Sequence, residues 1–196
     1  MRVKTFLGAQ FDDLCKRLAD EVLNHNFSPD IVVGILTGGG YVGREVRKAW
    51  PSAIYTEIRV QRRDTAKKGS GFRHKLLQLL PYCLLNRLRM AEMLYEDLKA
   101  RKTKPRREGN VELPDDIDAL LTARESHILL VDDAIDTGAT LKLIKDHINS
   151  TYPLANVKIA VITVTSNHPL IDADFCLYHD RTLVRFPWSN DVKQKK

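Results

Sequence analysis

One stretch constrains the fold of this chain more than any other: Ile128-Leu129-Leu130-Val131-Asp132-Asp133-Ala134-Ile135-Asp136-Thr137-Gly138-Ala139-Thr140-Leu141. Four apolar residues run into two adjacent carboxylates. An Asp-Thr-Gly-Ala-Thr turn follows, and then an amphipathic segment. The pattern predicts a buried parallel strand, a turn able to cradle phosphate, and a helix N-terminus. Carboxylates beside an anion-binding turn are compatible when the ligand carries both charges and hydroxyls. A sugar phosphate with Mg²⁺ meets both conditions.

The rest of the chain repeats this strand-then-helix grammar. Phe11, Leu14, Cys15, Leu18, Val22 and Leu23 fall at helical spacing within residues 10–26. Ile31 to Leu36 is a continuous apolar run, as expected of a strand covered on both faces. Gly38-Gly39-Gly40 breaks that run, and Tyr41 to Trp50 reads as a short helix. Ala53 to Val60 alternates like a strand, and Gln61 to Arg73 is a polar, basic loop. Residues 72–98 carry Leu76, Leu77, Leu80, Leu84, Leu85, Leu88, Leu94 and Leu98 on a helical pattern, with Pro81 as a kink or start. Pro114 to Thr122 is a small helix, Leu141 to Tyr152 a longer one, and Val157 to Val164 and Asp174 to Tyr178 are further strands. Alternation of this kind predicts a single α/β domain over 1–196, a doubly wound parallel sheet with right-handed crossovers. A long helical insert at about 76–125 and a C-terminal hood at about 165–196 complete it.

Composition narrows the setting. The chain has 196 residues and a formal charge of +6. Part of the excess is the run from Lys99 to Arg107, which we read as a solvated loop: it holds no aromatic to stack on a base, so nucleic acid is an improbable partner. Cys15, Cys83 and Cys176 form no metal or disulfide spacing and read as small buried hydrophobes. No apolar run approaches the roughly 20 residues of a membrane helix. A cytoplasmic protein is expected, with no membrane partner.

The acidic strand end followed by Asp136-Thr137-Gly138-Ala139-Thr140 resembles the phosphoribosyl-diphosphate signature of the type I phosphoribosyltransferases. Ile135-Asp136-Thr137-Gly138 is similar to the purine (hypoxanthine/xanthine-guanine) branch, and Phe186-Pro187-Trp188 resembles part of the hood of xanthine-guanine-type enzymes. In such a sheet, ligands sit beyond the carboxyl ends of the strands. Thr137, Gly138, Ala139 and Thr140 are accordingly expected at the 5-phosphate. The resemblance implies Leu36, Thr37 and Gly38 at the pyrophosphate. It puts Asp132 and Asp133 at the ribose hydroxyls and at Mg²⁺, through water. Asp136 matches the position where purine enzymes hold a carboxylate near N7 of the base, and is the candidate general base or acid. Ile135, Leu183 and Val184 would face the base. The Gln61 to Arg73 loop, with Arg62, Arg63, Lys67 and Lys68, would be a lid that excludes water. A homodimer is expected, with phosphoribosyl diphosphate and a nitrogenous base as substrates.

This chain departs from the family pattern mainly on the base side. Thr37 stands where a basic residue is usual. Ser166, within one residue, stands where purine enzymes carry a lysine, with Asn167 and His168 next to it. Leu183 replaces an aromatic stacker, and Ser189 or Asn190, with Asp191 just beyond, replaces a late acidic residue. The expected activity is Mg²⁺-dependent transfer of ribose 5-phosphate to a purine or purine-like base. The alternatives are a non-catalytic regulator that binds phosphoribosyl diphosphate or a nucleotide, with RNA as an optional target, or transfer to a non-purine acceptor.

Overall fold

The computed structural model describes residues 2–60, 84–88, 90, 91, 95, 111, 113–189, 191 and 192. Five strands form one parallel sheet: β2 (Ile31–Ile35), β3 (Ile54–Ile58), β4 (Ser126–Ile135), β5 (Ala155–Val164) and β6 (Phe175–Tyr178). Their order across the sheet is β3-β2-β4-β5-β6. The chain therefore moves outward from β2 to β3, crosses back to β4, and then winds the other way. The switch point lies between β2 and β4, which pair from Ile31↔Ile128 to Gly34↔Val131.

Helices cover both faces. α1 (Ala9–Asn24) and α2 (Gly38–Val46) lie on one, and α3 (Asp115–Ala123) and α4 (Ala139–Thr151) on the other. Strand alternation divides the core accordingly. Val32, Leu129 and Val131 pack under α1 and α2, while Ile31, Val33, Ile128 and Leu130 pack under α3 and α4. Burying each of these Leu or Ile side chains contributes about 2 kcal/mol. α1 owes its placement to Phe11, Leu14, Leu18 and Val22, all buried on one stripe.

A second, two-stranded sheet joins the chain ends: β1 (Val3–Thr5) runs parallel to β7 (Leu183–Arg185). The hood thus has an N-terminal component that the sequence pattern did not announce. Other expectations are refined. α2 begins at Gly38, so the three glycines belong to the helix instead of ending the strand before it. β4 continues through both acids to Ile135, and α4 starts at Ala139. Within the expected insert, residues 84–88 are helical; Leu85 is buried whereas Leu84 and Leu88 are exposed. The lid at Gln61 to Arg73, the basic run and Cys83 lie outside the described residues. Among the described residues no helix is long and apolar enough to cross a membrane.

Candidate active site

Adjacent parallel strands end side by side, so β2 and β4 deliver their two loops to one edge. The Leu36–Thr37 peptide, which is cis, leads from β2 into α2, and Thr37 is exposed there. The contact between the loops is close. A Cβ on Gly38 would lie 2.1 Å from Asp133 Oδ2, and one on Gly39 would lie 2.5 Å from the Val131 carbonyl oxygen and 2.7 Å from Asp132 Cα. The glycines are thus required first by the seating of α2 against the acidic end of β4. Tyr55 braces the same turn: its hydroxyl lies 2.7 Å from the Gly40 carbonyl and 2.9 Å from Glu57 Oε1, and Glu57 accepts from Arg44 Nη2 at 2.7 Å.

Asp132 and Asp133 are partly buried at this junction. Burial holds the Asp132 carboxyl well above the usual carboxylate range, and the charge of Asp133 adds to the effect. Burial also raises Asp133, partly offset by hydrogen bonds with Asp132 and with the Trp188 indole. Two neighbouring carboxyls removed from water disfavour a doubly charged state unless a cation or donor hydroxyls arrive. Asp133 N–H donates to Asp132 Oδ1 at 2.9 Å, which fixes their relative position.

Beyond Ile135, which is buried, the chain turns through Asp136, Thr137 and Gly138 into α4. Gly138 has φ +72°, a conformation that disfavours any side chain, and a Cβ there would lie 3.0 Å from Ile171. Thr137 Oγ1 accepts from Ala139 N–H at 3.4 Å. The Thr137 carbonyl accepts from Leu170 N–H at 2.9 Å, so the segment after β5 wraps the turn. The amides of Ala139, Thr140 and Leu141 form the first turn of a 13-residue helix, a geometry that attracts phosphate.

Asp136 is exposed, and its Oδ1 accepts from Thr165 Oγ1 at 2.5 Å. Thr165 is itself fixed: its N–H donates to the Ile135 carbonyl at 2.9 Å, and its carbonyl accepts from Arg181 Nε at 3.1 Å. Ser166 Oγ instead accepts from His168 N–H at 3.2 Å, and His168 is exposed. The residue that meets Asp136 is therefore one position earlier than Ser166.

The hood returns to the site through Trp188. Phe186-Pro187-Trp188-Ser189 is a turn closed by Ser189 N–H donating to the Phe186 carbonyl at 3.0 Å. Trp188 Nε1 donates to Asp133 Oδ2 at 3.2 Å. Its ring stacks on Phe186 and on Tyr41, with centroids 4.8 Å apart in each case. Phe186 is core, packed edge-on against Phe11. Leu183 is half-buried, while the Val184 side chain is buried in the core cluster under α1. Asp191, just beyond the position of the family's late acid, is buried and paired with Arg185 at 2.9 Å. Arg185 also donates to Thr5 Oγ1 and Asn86 Oδ1, at 2.9 Å each.

The structure thus brings together Leu36, Thr37, Gly38, Asp132, Asp133, Asp136 and the 137–140 turn. Sequence reasoning missed Thr165, Ile171, Arg181 and the bond from Trp188. The one signal was the position of Thr165 at the end of β5, beside the residue first assigned. Both described cysteines are buried, and burial pushes the Cys15 thiol up to about 12 and the Cys176 thiol to about 11, so neither is a nucleophile at neutral pH.

In a parallel sheet, two loops meeting at the switch point mark the place where ligands bind. The chain belongs to the phosphoribosyl transferase domain family, whose model matches residues 7–194. It is a phosphoribosyltransferase by family. A purine phosphoribosyltransferase from Pyrococcus horikoshii superposes with a TM-score of 0.60 at 16% identity, covering 100% of this chain and 99% of that one. A hypothetical protein from Neisseria gonorrhoeae, solved with bound ppGpp, gives 0.60 at 14% identity over 95% and 89%. The xanthine-guanine-hypoxanthine phosphoribosyltransferase of Helicobacter pylori gives 0.58 at 13% over 95% and 92%. At these identities the likeness is one of fold. No curated protein gives a significant match.

Proposed function

We propose that this protein transfers ribose 5-phosphate from phosphoribosyl diphosphate to a purine or purine-like base and releases pyrophosphate, with Mg²⁺ carried by the diphosphate. The observation that carries the reading is the contact of Gly38 with Asp133, which joins the two loops at the switch point. Amides at the start of α4, with Thr137 and Thr140, would hold the 5-phosphate. Asp132 and Asp133 would accept from the ribose hydroxyls, and their charge would favour the cationic character that develops at C1. Leu36, Thr37 and Gly38 would face the leaving pyrophosphate. Asp136, oriented by Thr165, would exchange a proton with a ring nitrogen of the base near Ile135, Leu183 and Val184.

The donor set suits Mg²⁺ that arrives with substrate. Among the described residues no group of three or more His, Cys, Asp or Glu is arranged to hold a metal. Two carboxylates plus phosphates and waters is a common Mg²⁺ shell, whereas a resident ion needs more protein ligands. When bound, Mg²⁺ would neutralise charge on the departing pyrophosphate. A homodimer and a cytoplasmic location complete the proposal.

A second reading is a sensor that binds phosphoribosyl diphosphate or a guanine nucleotide without transfer. It is favoured by Thr37, exposed and uncharged at the diphosphate loop, and by the Neisseria gonorrhoeae likeness. The test is pyrophosphate release from phosphoribosyl diphosphate and Mg²⁺ with a panel of purines, pyrimidines and other nitrogen heterocycles. Base-dependent release that disappears in an Asp132→Asn/Asp133→Asn variant supports transfer. Tight binding without release for any base supports the sensor.

A further inference from the structure

Trp188 sits outside every role assigned above, yet it is a C-terminal side chain bonded to a carboxylate of the proposed ribose side. Its indole N–H donates to Asp133 Oδ2 at 3.2 Å across 55 residues of sequence. The same oxygen is the atom that a Cβ on Gly38 would strike first. Asp133 is therefore held between the first turn of α2 and the hood. The indole cannot easily swing away, because its ring stacks on Phe186 at an interplanar angle of 2° and on Tyr41 at 19°, and meets the Phe11 ring edge-on at 5.3 Å. Phe186 is anchored in the core, and Tyr41 lies on α2, one turn after Gly38. A packed indole N–H ordinarily finds a partner, and here the partner is a carboxylate at the junction of the two loops.

We propose that Trp188 is a positioning residue for the sugar-diphosphate half of the site. It fixes which lone pairs of Asp133 face the ribose hydroxyls and the Mg²⁺-bearing diphosphate, and it makes the hood part of that half. The indole N–H accepts nothing, so it can only donate, and a carboxylate that has accepted it retains a defined set of free lone pairs. Loss of the N–H frees the carboxylate to rotate, which weakens ligands that need one orientation. This inference rests on the reading of Asp133 as a substrate-side residue.

The discriminating variant is Trp188→Phe, which keeps an aromatic ring to stack on Phe186 and Tyr41 and removes the donor together with the pyrrole ring. Calorimetric titration of the full-length protein with phosphoribosyl diphosphate and Mg²⁺ is expected to show about tenfold weaker binding, the size of a lost hydrogen bond to a charged group. KM for the base is expected to change less than about threefold, with an unchanged melting temperature. In an Asp133→Ala background, which removes the acceptor, Trp188→Phe is expected to add no further loss, because the two act through one bond. A binding readout independent of turnover is tryptophan emission, which should shift as ligand is added to the wild type and not to Trp188→Phe. Equal ligand affinity in Trp188→Phe and wild type overturns the proposal, as does an additive loss in the double variant. A wild type that binds no phosphoribosyl diphosphate at all overturns the functional reading first and this inference with it.

Discussion

The two halves of the site are built by different means. The ribose-phosphate half is made of consecutive residues where β2 and β4 end, and glycines let backbone seat on backbone. The proposed base half adds segments from both chain ends, β1 and β7, to the turn after β4, and polar side chains hold those segments. Arg185 reaches Asp191, Thr5 and Asn86 in its interior. The difference teaches where tolerance lies. A half built on core strands inherits the stability of the sheet, whereas a half tied by a few polar bonds can change its lining without disturbing the fold. The departure from the family pattern at Leu183 falls on that second half.

The largest expected effect sharpens this contrast. Asp191→Ala leaves the Arg185 guanidinium, 2% exposed, without its carboxylate. Removing one member of a buried pair costs about 3–5 kcal/mol. Thermal unfolding should show a large loss, and base KM should rise steeply. Affinity for phosphoribosyl diphosphate should fall no further than in Trp188→Phe, since one indole bond is what the hood lends that half. A loss of diphosphate affinity exceeding the loss of base affinity would break the comparison.

Gly39→Ala tests the opposite half. Its Cβ would meet main-chain atoms of Val131 and Asp132, which cannot rotate away. Overpacking of this kind costs about 1–3 kcal/mol. Denaturant unfolding should show that loss, with weaker diphosphate binding by calorimetry and little change in base KM.

These contrasts also mark what the sequence could convey. The runs Ile31 to Leu36 and Ile128 to Val131 announced central strands, because a strand covered on both faces is apolar throughout. The two loops followed from their position after those strands. What stayed hidden is non-local. Val3-Lys4-Thr5 contains one apolar residue and shows no strand pattern by itself; it pairs with Leu183 to Arg185 only because the chain ends meet. Asp191 lies just beyond the position where the family has an acid, and only the fold reveals Arg185 beside it. Gly38 to Gly40 read as a breaker because glycine is a poor helix former, but at this helix start close contact with β4 outweighs propensity.

A smaller effect separates orientation from binding within the site. Thr165→Val keeps the shape of the side chain and removes the hydroxyl that donates to Asp136. A hydrogen bond to a charged group contributes about 1.5–3 kcal/mol, and 1.4 kcal/mol corresponds to about tenfold. With Asp136 as the proton-transfer group, kcat should fall about tenfold while calorimetric binding of phosphoribosyl diphosphate is unchanged. Unchanged kcat would remove Asp136 from that role.

The smallest effect lies at the start of β6, outside both halves. Burial alone would raise the Asp174 carboxyl, but a hydrogen bond from Lys158 Nζ, a second from Ile159 N–H, and the charge of Lys145 hold it below the usual carboxylate range. A carboxyl lowered in the folded state contributes stability above its unfolded value, about pH 4. That contribution is lost as pH falls through the folded value. Lys158 is 39% exposed, so solvent screening limits the ion pair to less than about 1 kcal/mol. Asp174→Asn should therefore lower stability slightly at pH 7, and the gap from wild type should close below about pH 4, as read by urea unfolding across pH. Because Asp174 ties the start of β6 to β5 and α4 and touches neither loop, kcat and both affinities should stay within about twofold. A kinetic split in this variant would mean that strain at the sheet edge reaches the site, and the two halves would then not be separable in the way their construction implies.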